Sequence, residues 1–399
     1  MSRDRIKSGS VVFLLILLLV LPASAQDMED LQLFDNANLS TYGGGRGPQE
    51  GFFFTYDGLY WSISAPRAEQ IGDPNLTRNV YYDITGTPKP ADRLAVQTNT
   101  YSTAPFRAQF TTGQRIQFGR VEGHQGWMVG GYWLNEQKQV CNAQDVNVAF
   151  QDDAFGPAGE SWLQGYVWND GAVSPVLSDR KNLPITFDTM RIRNIVDNWS
   201  IECMYIYRLH PGRAGGVLEL FGGVRYLEFN EVFSVDATGG VLADSNWYTA
   251  ADNHLIGPQI GARWSNQRGR WSLVGEGRFF AAFNNQNIRQ DGLIGSELDP
   301  STTTQGAPLE LGPTGFSYWL HQTEWAPSVE LRLEAKWQWT RLVSFKAGWT
   351  GIYMDGIARP SKMVRYEFDA SGAVMGITND NNRRGVLING LTLGVELNR

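Results

Sequence analysis

The feature that most constrains the fold is a segment in which apolar and charged residues alternate without interruption. Residues 329–337 read Val-Glu-Leu-Arg-Leu-Glu-Ala-Lys-Trp, with an apolar residue at every odd position and a charge at every even one. Because side chains of a strand point alternately to opposite sides, this segment predicts a strand with one apolar and one ionic face. The same period of two recurs at residues 200–209 and 391–397. Repeated strands of this kind are typical of a membrane-spanning β-barrel, whose outward face is apolar and whose lumen is polar.

The N-terminus has the organisation of an export signal. Three basic residues lie among the first seven, followed by an apolar run from Val11 to Leu21 and the small residues Ala23-Ser24-Ala25. This pattern predicts a signal peptide over residues 1–25, because the apolar run is shorter than the roughly 20 residues that a membrane helix needs. We expect residues 26–50, which are rich in Asn and Gly, to be a flexible lead-in, and residues 51–399 to form the barrel.

The chain is acidic, with a formal net charge of −7, and removal of the predicted signal peptide lowers that charge by two further units. A nucleic-acid surface would require a basic patch, so we expect no nucleic-acid partner. The partners expected for an exported barrel are outer-membrane lipid and the barrel-insertion machinery, with any surface ligand unidentified.

Two cysteines, Cys141 and Cys203, are present in the whole chain. An oxidising compartment permits a disulfide between them, but sequence gives no information on their distance in space. Both interpretations, one disulfide or two free thiols, stay open at this stage.

Ten segments rich in β-branched or aromatic residues predict strands. They lie near residues 52–63, 114–121, 127–135, 199–209, 216–230, 254–265, 270–283, 324–337, 340–355 and 386–398. Short and long connections alternate between them, the long ones being 64–113, 136–198, 231–253, 284–323 and 356–385. The alternation predicts an antiparallel up-and-down transmembrane β-barrel of about ten strands (range about 8–12), with short periplasmic turns and long outer loops.

The period of two also assigns charged residues of both signs to the lumen. They are Glu202, Arg208, Glu219, Arg225, Arg263, Glu276, Arg278, Glu330, Arg332, Glu334, Lys336, Lys346 and Glu396. A ten-stranded barrel is only slightly wider than the eight-stranded case, whose interior is just filled by side chains. Packing of these charges into an ionic plug is therefore favoured over the lining of an open pore, and a narrow pore is the alternative.

Several fragments of the strands carry a family resemblance. They lie at residues 54–61, 220–227, 253–261, 357–360 and 389–396. In this order, from about residue 52 to the end, the set resembles the planctomycete outer-membrane β-barrel family sometimes called beta-barrel protein seven. The resemblance implies an outer-membrane barrel, with no catalytic residues to carry over. The chain departs from outer-membrane barrels in general by ending Leu397-Asn398-Arg399, without a terminal aromatic residue.

Signals for catalysis are weak. The four histidines do not stand at metal-ligand spacing, and the chain contains no Gly-x-Ser-x-Gly nucleophile motif. We expect no enzyme and no cofactor, and a structural or surface-interaction role, or a narrow pore, in the outer membrane. Two alternatives remain: a secreted soluble β-sandwich that binds a ligand such as polysaccharide, and a barrel enzyme.

Overall fold

The computed structural model describes residues 51–72, 78–83, 93–98, 101–146, 148, 151–152, 187–210, 216–240, 243–296, 313–340, 342–368, 374–379 and 382–398. The predicted signal peptide and lead-in, residues 1–50, lie outside these ranges and stay predictions. No helix among the residues described is long and apolar enough to cross a membrane.

Fifteen strands are present in the described ranges. They are β1 (Gly51–Ile63), β2 (Arg78–Asp83), β3 (Arg93–Thr98), β4 (Gln109–Glu122), β5 (Gln125–Val146), β6 (Gln151–Asp152), β7 (Phe187–Arg208), β8 (Gly216–Thr238), β9 (Ser245–Arg268), β10 (Trp271–Ile294), β11 (Thr314–Gln338), β12 (Val343–Ile357), β13 (Val364–Phe368), β14 (Val374–Ile377) and β15 (Arg384–Asn398).

Ten of these strands close into one antiparallel barrel. Its order is β1-β15-β12-β11-β10-β9-β8-β7-β5-β4, and β4 pairs back onto β1. Chain order and spatial order therefore coincide, which confirms the predicted up-and-down barrel of ten strands. The alternative of a soluble β-sandwich is wrong, because a sandwich needs two facing sheets and here one sheet closes on itself.

The outward face carries an apolar belt. On β10 the exposed apolar residues run from Trp271 to Phe283, and on β11 a row of them runs from Trp325 to Leu333, with Trp319 farther along the strand. Aromatic pairs mark both edges of the belt, with Phe283 against Trp325 at one edge and Trp337 against Phe345 at the other. A belt of roughly ten residues per strand with aromatic borders is what a membrane-spanning barrel presents to lipid.

Six strands, β5 and β7 to β11, continue well beyond the belt and reach 22 to 25 residues. On β10, the eleven residues that follow Phe283, up to Ile294, add about 36 Å along the strand. One expectation is corrected here: residues 231–253 are not a long loop. They continue β8 and begin β9, leaving only residues 239–244 as the connection.

The barrel interior is filled in layers. Toward the short turns lies a layer of charged side chains, beside a small apolar cluster that includes Met128 and Phe221. Next to the charged layer lies an apolar layer to which nine of the ten barrel strands contribute. That apolar layer consists of Leu59, Trp61, Ile63, Tyr132, Leu134, Val196, Leu227, Phe229, Leu255, Phe280, Ala282, Ala326, Ile352, Met354, Ile357, Val386 and Ile388. The parts of β5 and β7 to β11 that continue beyond the belt form what we call the extended wall. A further apolar cluster, which includes Phe187, Phe233 and Trp247, lies on its inner side together with Tyr366 of β13.

Two small sheets lie in the long connections. Strands β2 and β3 pair antiparallel, and β13 pairs with β14 and β6. Both sheets belong to connections at the end of the barrel opposite the short turns. Most described residues outside the barrel wall therefore lie at that end.

Candidate functional site: the filled lumen

The thirteen charged residues assigned to the lumen from sequence lie on the inner face of the barrel. Nine are buried, and Arg263, Glu334, Lys336 and Glu396 are half-buried. They project inward because they occupy the alternate positions to the belt residues on the same strands.

Ion pairs join strands that are not neighbours. Arg225 on β8 binds Glu330 on β11 with an Nη1–Oε2 distance of 2.7 Å. Arg278 on β10 binds Glu202 on β7 with an Nη1–Oε1 distance of 2.5 Å. Two strands separate the partners in each case, so these pairs reach across the lumen and do not simply line its wall.

Sequence reasoning missed the most buried members of this network. Arg115 on β4 donates from Nε to Asp57 Oδ2 on β1 at 2.7 Å, and from Nη2 to Glu334 at 3.0 Å. Lys346 lies 2.9 Å from Asp57 Oδ1. Asp57 stands at the inward positions of β1 together with Thr55 and Leu59, so extending the period of two to β1 and β4 would have found both residues.

With Asp57 and Arg115 added to the thirteen, the charged side chains form what we call the ionic layer. Among the described residues this layer contains eight basic and seven acidic side chains. Buried charges are tolerated only when they are paired and hydrogen-bonded, and nearly every member here has an opposite partner. The layer is therefore a cross-linked plug with one positive charge in excess.

The last two residues of β12 and the residues that lead to β13 close the lumen beyond the apolar layer. This cap segment, Gly356–Met363, is held by amide side chains of β9 and β10, neither of which is a neighbour of β12. Asn253 on β9 accepts from the Ala358 backbone N–H at 2.8 Å and donates to its carbonyl at 3.0 Å. On β10, Asn284 and Gln286 both donate to the Gly356 carbonyl, at 2.9 and 3.0 Å.

An ion pair fastens the same segment to β8. Arg359 donates from Nε and Nη2 to the two carboxylate oxygens of Glu231, each at 2.8 Å, and from Nη1 to the Ser64 carbonyl at 2.9 Å. Asn194 also donates to Glu231 at 2.8 Å. Arg359 and Glu231 are both buried. Since β12 and β8 are four strands apart in the barrel, the cap segment crosses the mouth instead of following the rim.

A polar cavity of about 170 Å³ enters the lumen from the short-turn end. Rim residues such as Gly51 and Arg270 lie at its mouth, and ionic-layer residues such as Arg332 and Lys346 lie deeper. It is the part of the lumen where charged side chains meet open space.

On the outer wall, beyond the belt, a polar cluster surrounds Asp291. Its carboxylate accepts from the hydroxyls of Tyr248 and Ser317, each at 2.6 Å, and from Arg289 Nε at 2.5 Å. Partial burial raises the pKa of Asp291, but the three hydrogen bonds outweigh it and hold that pKa below its usual range. Arg289 also lies 5.1 Å from the ring centroid of Trp319, which is 74% exposed.

The two cysteines are not bridged. Both are free thiols. Cys141 pairs with Ile192 in the register of β5 and β7, which places it about 36 Å along the sheet from Cys203 by the rise of a strand. Cys203 is exposed on the belt face, whereas Cys141 packs against the inner cluster. A disulfide requires Cα atoms within about 7 Å, so the structure rejects that interpretation.

The histidines serve local contacts. His321 Nδ1 lies 2.6 Å from Asn287 Oδ1 on the outer wall, and His254 Nδ1 lies 2.8 Å from the Tyr226 hydroxyl. His124 and His210 lie in or beside short turns, with ring centroids 4.3 Å apart. Within the described ranges, no group of three or more His, Cys, Asp or Glu side chains is placed to hold a metal ion.

A closed antiparallel barrel with an apolar belt and a polar, filled lumen defines the class of outer-membrane β-barrels. The family described as "Putative beta barrel porin-7 (BBP7)" matches residues 200–398, about half of the chain. The chain belongs to this family, which confirms the resemblance to beta-barrel protein seven seen in its sequence fragments, while the planctomycete origin stays a prediction.

Solved structures with a similar course are also outer-membrane barrels or channels. The outer membrane protease OmpT from Escherichia coli has 9% identity, covers 90% of this chain and 99% of its own, and gives a TM-score of 0.39. The CymD monoaromatic hydrocarbon channel has 8% identity, with 88% and 89% coverage and a TM-score of 0.30. A Pseudomonas aeruginosa FadL homologue has 8% identity, 92% and 95% coverage and a TM-score of 0.24. A search of curated proteins finds no match.

Proposed function

We propose that this barrel is closed to solutes and serves as a membrane-embedded platform, presenting the extended wall and the long connections at the cell surface. The observation that carries the proposal is the sequence of barriers in the lumen. A solute entering from the short turns meets the ionic layer, then the apolar layer, then the cap segment Gly356–Met363.

Each barrier blocks passage for a different physical reason. The cross-lumen ion pairs hold long side chains in the centre of the barrel, where breaking them would strand buried charges. The apolar layer offers a hydrated ion almost no hydrogen-bonding groups, because its two polar atoms, Trp61 Nε1 and the Tyr132 hydroxyl, already donate to Thr392 and Asn198. The cap segment adds backbone that is hydrogen-bonded to β9 and β10, strands that are not neighbours of β12 in the barrel.

The uneven length of the strands supports the platform role. The wall formed by β5 and β7 to β11 rises beyond the apolar belt, and its inner side is packed with apolar residues. A transmembrane strand needs only about 9–11 residues, so the extra length adds surface and not membrane anchorage. In the orientation common to outer-membrane barrels, this wall faces the exterior and the short turns face the periplasm.

The test is solute flux into proteoliposomes that contain the refolded mature chain. We expect no swelling in isotonic arabinose or glycine above that of empty liposomes, while a general porin reconstituted at the same density causes rapid swelling. Swelling that rises with the amount of this protein would refute the closed lumen.

A narrow, gated pore is the second candidate, favoured by one observation: the polar cavity already opens part of the lumen at the short-turn end. This candidate requires the ionic and apolar layers to rearrange. It predicts solute flux that appears only under an applied voltage or a change of pH, whereas the closed platform predicts no solute flux under either condition.

We do not propose a catalytic activity for the barrel. Membership of a porin-like family supports a non-catalytic role, as do the local contacts of the histidines described above. A screen of lipid, peptide and glycan hydrolysis by the refolded protein should be blank, and any turnover lost on replacing Asp291 or His321 would refute this part.

A further inference from the structure

We infer that the polar cavity at the short-turn end binds a small oxyanion, such as inorganic phosphate, from solution. The inference concerns this cavity alone and does not rest on the lumen being closed, because a conducting barrel would bind an anion there equally well.

The first argument is charge. The whole chain carries a net charge of −7, yet the described part of the ionic layer has eight basic side chains against seven acidic ones. Arg270 adds a further positive charge at the cavity mouth and has no ion-pair partner among the described residues. Arg270 is exposed, but the excess positive charge of the ionic layer lies in a low-dielectric interior, where a charge without a counter-charge is costly, so an anion drawn from solvent would relieve it.

The carboxylates in the cavity wall do not cancel this attraction, because basic groups already occupy them. Glu276 lies within ion-pair distance of Arg263, Arg278 and Arg332. Glu396 is paired with Lys336 at 2.5 Å. An anion entering the cavity would therefore meet neutralised carboxylates beside N–H groups of arginine and lysine, which favour phosphate-like oxyanions.

The second argument is an unused donor. Gln117 on β4 lines the cavity and is only 6% exposed, and its amide Nε2 has no hydrogen-bond partner in the described structure. A buried donor left without an acceptor costs free energy. A bound oxyanion would supply the missing acceptor, whereas a cation would leave Nε2 unsatisfied and would add to the charge excess.

The size of the cavity admits a small oxyanion. About 170 Å³ of space among its lining side chains leaves room for a single phosphate with a few waters.

The experiment is a calorimetric titration of the refolded mature chain in neutral detergent with sodium phosphate, against sodium chloride at the same ionic strength. We expect saturable binding of phosphate that chloride does not reproduce. Phosphate heats that equal the chloride heats would overturn the inference.

Three variants locate the site. Gln117→Leu should weaken phosphate binding about five-fold, because one hydrogen bond is lost. Arg270→Gln should weaken it about two- to three-fold, because a partly screened charge leaves the mouth. Arg268→Gln is the matched control: Arg268 is also an exposed arginine of the β9–β10 hairpin, at the end of β9, but it does not line the cavity, so binding should not change.

Each variant is first checked for folding, which requires an unboiled electrophoretic mobility equal to that of the wild type. If Gln117→Leu misfolds, Arg270→Gln still tests the site, because Arg270 is exposed and its replacement should not disturb folding. Equal weakening by Arg268→Gln and Arg270→Gln would overturn the site. Binding of phosphatidylglycerol in mixed micelles without binding of free phosphate would also overturn it, because the anion would then be a lipid headgroup.

Discussion

At the scale of single residues, the alternation of faces explains both what the sequence predicts and what it misses. Strand β11 alternates belt residues such as Leu331 with ionic residues such as Arg332, so its two faces could be predicted directly. Asp57 and Arg115 were missed because Asp57 is the single charge of β1 and is flanked by aromatic residues, and because the outward face of β4 mixes polar and apolar residues, which obscures its period. Their importance follows from partners on other strands, which a local pattern does not contain.

The lipid face gives the first prediction. Leu331 is exposed at the centre of the belt of β11, and Thr323 lies on the same face of the same strand just beyond the belt edge at Trp325. Leu331→Arg should lower the free energy of unfolding from lipid vesicles by about 2–4 kcal/mol, and Thr323→Arg by about 0–1 kcal/mol. Urea titrations of both variants measure the difference. Equal losses would mean that this face does not meet lipid.

At the scale of strands and segments, the apolar residues change face along each long strand. On β8, Leu218, Leu220 and Val224 point outward within the belt, whereas Phe229 and Phe233 point inward beyond it. The apolar residues change face because the surroundings of the strand change. Lipid surrounds the belt, so its apolar side chains point outward, whereas water surrounds the extended wall, so its apolar side chains point to the interior. This inversion breaks the sequence period, which is why residues 231–253 resembled a loop.

The cap segment gives the second prediction. Arg359 is the cation that neutralises buried Glu231 in the described structure, so Arg359→Met should cost about 3–5 kcal/mol. Arg365→Met is the control, because the Arg365 side chain is 55% exposed in its pair with Glu367 and should cost less than about 1 kcal/mol. Urea unfolding gives both values, and limited proteolysis should cleave within residues 356–363 faster in Arg359→Met alone. A cost of Arg359→Met as small as that of the control would show that the cap segment is not fastened there.

At the scale of the whole molecule, the sequence predicts the barrel and the ionic plug of its lumen, but not the cap segment that closes the lumen beyond the apolar layer. Strand number, order and the alternation of faces follow from local patterns. The contacts that hold the cap segment join residues far apart in the chain, such as Asn253 with Ala358 and Glu231 with Arg359. The fragments at 253–261 and 357–360, which carried the family resemblance, contain three of these four residues, and the structure shows them packed together inside the barrel.

The barrel itself gives the third prediction. The mature chain refolded in detergent should migrate faster on electrophoresis without boiling than after boiling, and its circular dichroism should show β structure, because a closed barrel resists detergent until it is heated. A chain that folds and stays soluble without detergent would contradict the membrane-spanning belt.

The most direct test of the closed lumen is current recording from the refolded wild-type protein in planar lipid bilayers, with a general porin as the positive control. Because the ionic layer, the apolar layer and the cap segment each block the path, we expect no stepwise conductance over the voltage range in which the bilayer is stable. Reproducible ohmic current steps from the wild-type protein would contradict the account and would establish the barrel as a pore.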